Sequence, residues 1–171
     1  MIILGIDPGI ATVGFGVIET SGAEMSHMSH GIISTKAGLR LAMRLARIYY
    51  DALELIDTFN PDVMAVEELF FNTNLKTAVA VAHGRAAAIM AGEERGLPMY
   101  EYTPLQVKQA VAGYGRADKK QVMDMVKRLL RLENTPKPDD AADALAIAIC
   151  RARNINSRGA KNSGGPECST I

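Results

Sequence analysis

At 171 residues the chain has the length of one domain, enough to bury a core. A hydrophobic fraction of 48% is ordinary for a globular protein, and no apolar run is long enough to span a bilayer. Nineteen basic residues balance nineteen acidic ones, which argues against a general nucleic-acid coat but leaves room for DNA binding through a locally basic segment.

The opening Met1-Ile2-Ile3-Leu4-Gly5-Ile6-Asp7 lacks the basic region and cleavage site of a signal peptide, so a cytoplasmic location is expected. Ile2 to Ile6 is a short apolar run closed by Asp7-Pro8-Gly9 and predicts a buried strand ending in a turn. Val13 to Thr20 predicts a second strand, Ser21-Gly22 a turn, and residues 25 to 35 a third strand. Short turns between these three imply an antiparallel meander. The period then changes: Leu41, Leu45, Ile48, Ala52, Leu55 and Phe59 recur at helical spacing, and Asn60-Pro61 ends that helix. Val63 to Val66 predicts a fourth strand ending at Glu67, and residues 75 to 95 an alanine-rich helix closed by Gly96-Leu97-Pro98. Met99 to Tyr102 predicts a fifth strand.

Thr103 with Gln106, and Asp118 with Gln121, have capping-box spacing and start two further helices, the first with Pro104 in its opening turn. The second carries Val122, Met125, Val126, Leu129 and Leu130. A last helix is expected from Asp139 or Asp140 to about Arg153. Beyond it, residues 154 to 171 are rich in Asn, Ser and Gly without periodicity and are expected to form a disordered tail. The order βββ-α-β-α-β-α-α-α, with strands one, four and five separated by helices, predicts an α/β domain over residues 1–153. Its sheet would be five-stranded and mixed, flanked by helices.

Acidic residues fall where such a sheet gathers them. Asp7 ends the first strand and Glu67 the fourth, and adjacent parallel strands bring their carboxyl ends to one edge. Asp140 and Asp143 are three apart on the last helix and share a face, among Ala141, Ala142 and Ala144, which let the helix lie close to the sheet. Taken singly, each has a structural alternative. Asp-Pro-Gly is a common turn, Glu67-Glu68 fits a solvated strand end, and Asp139 or Asp140 after Pro138 fits a helix cap. Asp143, inside an apolar small-residue helix, is harder to explain that way.

Four converging carboxylates repel, and at least one takes up a proton unless cations neutralise them. An all-oxygen donor set suits Mg²⁺ or Mn²⁺ rather than zinc, and two such ions suit phosphoryl transfer. The cysteines, Cys150 and Cys168, form no metal or disulfide pattern, and His27, His30 and His83 no convincing site. Residues 106 to 131 concentrate Lys108, Arg116, Lys119, Lys120, Lys127, Arg128 and Arg131 against Asp118 and Asp124, either a solvated helix face or a phosphate-binding surface.

Three segments together carry a family resemblance: Ile6-Asp7-Pro8-Gly9 with Gly14-Phe15-Gly16, then Ala65-Val66-Glu67-Glu68-Leu69-Phe70, then Asp140-Ala141-Ala142-Asp143-Ala144-Leu145-Ala146. With Gln106-Val107-Lys108-Gln109 and Gly113-Tyr114-Gly115, this ordered set resembles the bacterial RuvC crossover-junction endodeoxyribonucleases over about residues 2 to 150. The resemblance implies an RNase H-like fold, a homodimer, and Mg²⁺-dependent resolution of four-way Holliday junction DNA, with Mn²⁺ as a substitute. It also implies a branch-migration helicase complex as partner. It selects Asp7, Glu67, Asp140 and Asp143 as catalytic metal ligands, over Glu68 and Asp139. It matches Lys108 and Lys119 to DNA-contacting positions, with Lys120 the alternative to Lys119. Phe70 matches an aromatic that stacks on junction bases, with Phe71 the alternative, and helix 75 to 95 matches the dimer interface, where Ala78, Ala82 and Ala86 allow close approach.

Overall fold

The computed structural model describes residues 1–69 and 75–159, with side chains described at 1–69 and 78–155. Strands β1 (Ile2–Asp7), β2 (Thr12–Ser21) and β3 (Glu24–Ser34) precede helix α1 (Leu41–Phe59). Strand β4 (Val63–Glu67), helix α2 (Leu75–Glu94), strand β5 (Met99–Tyr102) and helices α3 (Pro104–Ala112), α4 (Lys119–Leu129) and α5 (Asp139–Gly159) follow. The sheet order is β3-β2-β1-β4-β5. The first three strands pair antiparallel, and β1, β4 and β5 pair parallel, as the predicted order requires.

Both faces of the central strands are covered, which is why β1 and β4 read as unbroken apolar runs rather than as alternating ones. Ile3, Ile18, Ala65 and Tyr102 point into a core shared with α3, α4 and α5. Leu4, Ile6, Val13, Val17, Met64 and Val66 point into a second core under α1 and α2. Local signals placed the helix ends. The side chain of Thr103 accepts from the Gln106 amide and that of Asp118 from the Gln121 amide, each glutamine answering back to the cap amide. Asn60 stops α1 in the left-handed conformation, its amide bonded to the Ile56 carbonyl.

Helix α5 lies against β1 and β2, and three glycines let it. A β-carbon on Gly5 would stand 2.2 Å from the Ala144 carbonyl oxygen, one on Gly14 2.0 Å from that of Asp140, and one on Gly16 2.7 Å from the Leu145 nitrogen. The helix also continues beyond Arg153, its expected end, to Gly159. Asn154 extends it by donating to the Cys150 carbonyl at 2.9 Å, and Ile155 packs on the core, so the last turns bury an apolar residue that a composition-based reading assigns to the tail.

No helix among the described residues is long and apolar enough to cross a membrane. The close approach of α5 makes a direct forecast. Gly5→Ala should lower stability by about 1–3 kcal/mol through overpacking against the α5 backbone, measured by urea unfolding; a wild-type midpoint would mean that the helix rides higher on the sheet.

Candidate active site

The carboxyl ends of β1 and β4 are neighbours in the sheet, so Asp7 and Glu67, each the last residue of its strand, reach the same edge. Asp7 lies opposite Gly14 in the β1–β2 ladder, and Gly14 in turn contacts the backbone of Asp140 in the first turn of α5. One helical turn further, Asp143 faces the same space. All four carboxylates are half-buried.

Their mutual influence is large. Asp7 is pushed up to about 8, first by burial and then by the negative charges of Glu67, Asp143 and Asp140, with Lys119 opposing. Glu67 is pushed up to about 7 by burial and by Asp143, against the pull of Lys108. Burial also raises Asp143, although Lys119 partly offsets it. Both Asp7 and Glu67 therefore carry protons for much of the time near neutrality unless a cation replaces them.

Lys119, at the start of α4, reaches across to α5, its Nζ 3.1 Å from Asp139 Oδ2 and 3.2 Å from Asp143 Oδ2. Lys108, on α3, lines a cleft of about 220 Å³ together with Glu67, Asp143, Lys119, Val107 and Val122. The cleft thus has an acidic floor, two ammonium groups on one wall and apolar sides. Lys120 is exposed and makes no ion pair among the described residues. Glu68 is exposed as well, and Asp139 is exposed and held by Lys119. Phe70 and Phe71 lie outside the described residues.

The donor set fits a hard divalent cation: its donor atoms are all carboxylate oxygens, and Asp7 and Glu67 are raised by burial and by neighbouring acids that a cation would neutralise. Among the described residues no three acidic, histidine or cysteine side chains are drawn together closely enough to ligate one ion as they stand. The placement of Asp143 gives the reason, since its carboxylate is turned onto the Lys119 ammonium. The fit is therefore one of chemistry and charge. The histidines form no such site. His27 and His30 contact each other on β3, Nε2 to Nδ1 at 2.7 Å, and His83 is exposed on α2.

Sequence reasoning missed Arg85. Its Nε donates to the Glu67 carbonyl at 3.3 Å, and its guanidinium pairs with Glu101 on β5. The signal was present: between residues 78 and 92 of the alanine-rich α2, Arg85 is the one formally charged side chain.

Comparison with known proteins shows the family and the fold. The family model described as crossover junction endodeoxyribonuclease RuvC matches residues 3–151. The RuvC protein of Brevibacillus brevis is 54% identical over 153 residues, covering 90% of this chain and 92% of its own. That of Alkaliphilus metalliredigens is 53% identical over 154 residues, covering 90% and 94%. Among solved structures, Thermus thermophilus RuvC in complex with a Holliday junction substrate superposes with a TM-score of 0.88 at 37% identity, covering 92% of this chain and 96% of that one. The yeast mitochondrial resolvase Ydc2, at 17% identity and a TM-score of 0.62, shares the fold.

The raised carboxylates predict a pH dependence of the metal-free protein. A carboxyl whose folded pKa lies above its unfolded value binds more protons in the folded state, so stability falls as pH rises. For Asp7 the fall spans roughly pH 4 to 8 and for Glu67 roughly pH 4.5 to 7, the windows between ordinary and raised values. Urea unfolding in EDTA should show stability declining across that range in the wild type and less so in Asp7→Asn. A wild-type profile flat from pH 5 to about 8 would contradict the raised Asp7 and Glu67 carboxyls.

Proposed function

The chain belongs to the RuvC family of crossover junction endodeoxyribonucleases and has an RNase H-like fold, and from that premise we propose that it resolves four-way Holliday junctions by paired, symmetric nicks during DNA recombination and repair. The observation that carries this reading is the convergence of Asp7, Glu67, Asp140 and Asp143 on one edge of the sheet, with Asp7 and Glu67 raised by burial and by neighbouring acids, beside Lys108 and Lys119.

Each nick is a hydrolysis. A water oxygen bonds to phosphorus, the bond to the 3′-oxygen breaks, and a proton from water passes to that leaving oxygen, giving a 5′-phosphate and a 3′-hydroxyl. Asp7, Glu67, Asp140 and Asp143 would hold two Mg²⁺ ions, with Mn²⁺ as a substitute, which supply a lowered water pKa and neutralise charge at the phosphoryl group. The residues do the rest. Burial of the carboxylates fixes the electrostatic centre of the cleft, and its apolar wall of Val107 and Val122 limits competing water. Lys108 and Lys119 set ammonium groups beside Glu67 and Asp143, where a backbone phosphate would enter. Lys120, exposed and adjacent to Lys119 in the sequence, is the alternative phosphate contact. Phe70 or Phe71, following the end of β4 in the sequence, would stack on a base unpaired at the crossover.

A two-fold junction calls for two sites related by two-fold symmetry, and so for a homodimer. Helix α2 supports this, because it is apolar on both sides. Ala87, Ala88 and Ala91 are buried on the sheet, whereas Val79, Ala86 and Met90 are exposed. A helix apolar all round is stable only when both faces are covered. Residues 1–153 are proposed as the nuclease domain, extended by the last turns of α5. A cytoplasmic location and a branch-migration helicase partner complete the reading.

A labelled four-way junction and a linear duplex of the same sequence, each with Mg²⁺ or EDTA, test it. Symmetric, Mg²⁺-dependent nicks in the junction alone are expected, and Asp143→Asn should abolish them while junction binding persists; preferential cutting of an RNA competitor would redirect the assignment to RNA processing. For the dimer, Met90→Glu should shift sedimentation from dimer to monomer at micromolar concentration without lowering the melting temperature. A variant that stays dimeric would move the interface off α2.

A further inference from the structure

Helix α2 touches the ends of both acid-bearing strands through two consecutive residues. Gly84 is buried against the turn that follows Asp7: a β-carbon there would lie 1.9 Å from the Gly9 carbonyl oxygen and 3.3 Å from the Ile10 nitrogen. The far side of that turn is already fixed, because Thr35 donates its hydroxyl to the Ile10 carbonyl and its amide to the Ala11 carbonyl at 2.9 Å. Gly84 therefore meets a rigid support, and the helix axis is set by contact with it.

Arg85 points the other way, to the ends of β4 and β5. Its Nε donates to the backbone carbonyl of Glu67, its guanidinium forms an ion pair with Glu101, and Glu68 adds to the negative field around it. The side chain is 15% exposed, so this bridge operates largely out of water. An arginine suits the task because its planar fork serves two acceptors at once, which a lysine ammonium on a flexible stem does not do with the same geometry.

We propose that Gly84 and Arg85 form a positioning clamp that sets the distance between Asp7 and Glu67. Gly84 fixes α2 against the Asp7 turn, and Arg85 holds the backbone of Glu67 to the same helix. Neither residue reaches the cleft, so Arg85 is a positioning residue and not a catalytic one. The inference rests on the reading of the acids as cation ligands. Groups that orient first ligands typically change metal affinity or activity by about 10–100-fold when removed.

The test uses the full chain with Arg85→Gln, Arg85→Lys and, as a control, Asp7→Asn. Mn²⁺ affinity is read from the electron paramagnetic resonance signal of free Mn²⁺, junction Kd from gel shift, and cleavage under single turnover. Arg85→Gln should bind Mn²⁺ about 10–100-fold more weakly and cut slower by a similar factor, with junction Kd within about twofold of wild type. Arg85→Lys should fall between the two. Mn²⁺ affinity and cleavage at wild-type values in folded Arg85→Gln would overturn the clamp. Should that variant lose its cooperative melt, Arg85→Lys decides on the same two readouts, and wild-type values there overturn it equally. A wild-type protein that binds Mn²⁺ but cuts no junction would sink the proposed function, while the Mn²⁺ titration still decides on the clamp.

Discussion

The site exists because α5 can lie directly on the sheet. Gly5 and Gly16 face each other in the β1–β2 ladder, Gly14 is two residues away, and all three would collide with the α5 backbone if they carried side chains. On the helix side, Ala141, Ala144 and Ala148 are buried and small. Register then does the remaining work. Asp7 pairs with Gly14, and Gly14 touches Asp140, so acids more than 130 positions apart in the chain are separated by the width of one bare backbone residue. A larger side chain at Gly14 would lift the first turn of α5 and take Asp140 and Asp143 with it.

A second contact of the same kind holds α2, where Gly84 rests on the Asp7 turn. The two helices approach the catalytic edge from opposite faces of the sheet, α5 with the core of α3 and α4, α2 with that of α1. Close backbone contact on both faces leaves the strand ends little freedom to separate. That is the condition for a preorganised cluster of acids, because carboxylates that repel one another spread unless the backbone prevents it. The apolar outward face of α2 belongs to a helix that also touches the Asp7 turn and the end of β4.

Much of this was legible in the sequence. The strand and helix periods, two capping boxes and the Asn60 stop gave nearly every element, since each is a local signal. Asp7 and Glu67 could be expected at one edge because strand ends in a parallel sheet converge by topology, and Asp140 and Asp143 on one helix face because they are three residues apart. What stayed hidden depended on pairwise geometry. The role of Arg85 follows from which carbonyl it meets, and an arginine in an alanine-rich helix does not announce that. The engagement of Lys119 with Asp139 and Asp143 across two helices was equally invisible, although its position made it a candidate for DNA contact. The last turns of α5 were not foreseen because Asn154 and its polar neighbours resemble a tail by composition, whereas Asn154 bonds back to Cys150 and Ile155 packs on the core.

Charge explains why the cleft pairs these acids with lysines and still calls for a cation. Four carboxylates against the two ammonium groups of Lys108 and Lys119 leave a formal deficit of two positive charges (four minus two). Protons can fill it, as the values of about 8 for Asp7 and about 7 for Glu67 show, but a protonated carboxyl no longer offers an anionic ligand oxygen. A phosphodiester entering the cleft adds another negative charge. Lysines alone cannot balance that total, and recruiting more of them would quench the carboxylates through ion pairs such as the one already made between Lys119 and Asp143. Divalent ions would resolve both demands, since they would neutralise the acids and leave the lysines for phosphate. Under the proposed function Lys119 would then have two successive partners: the acids of α5, which it meets in this structure, and phosphate once cations take those acids.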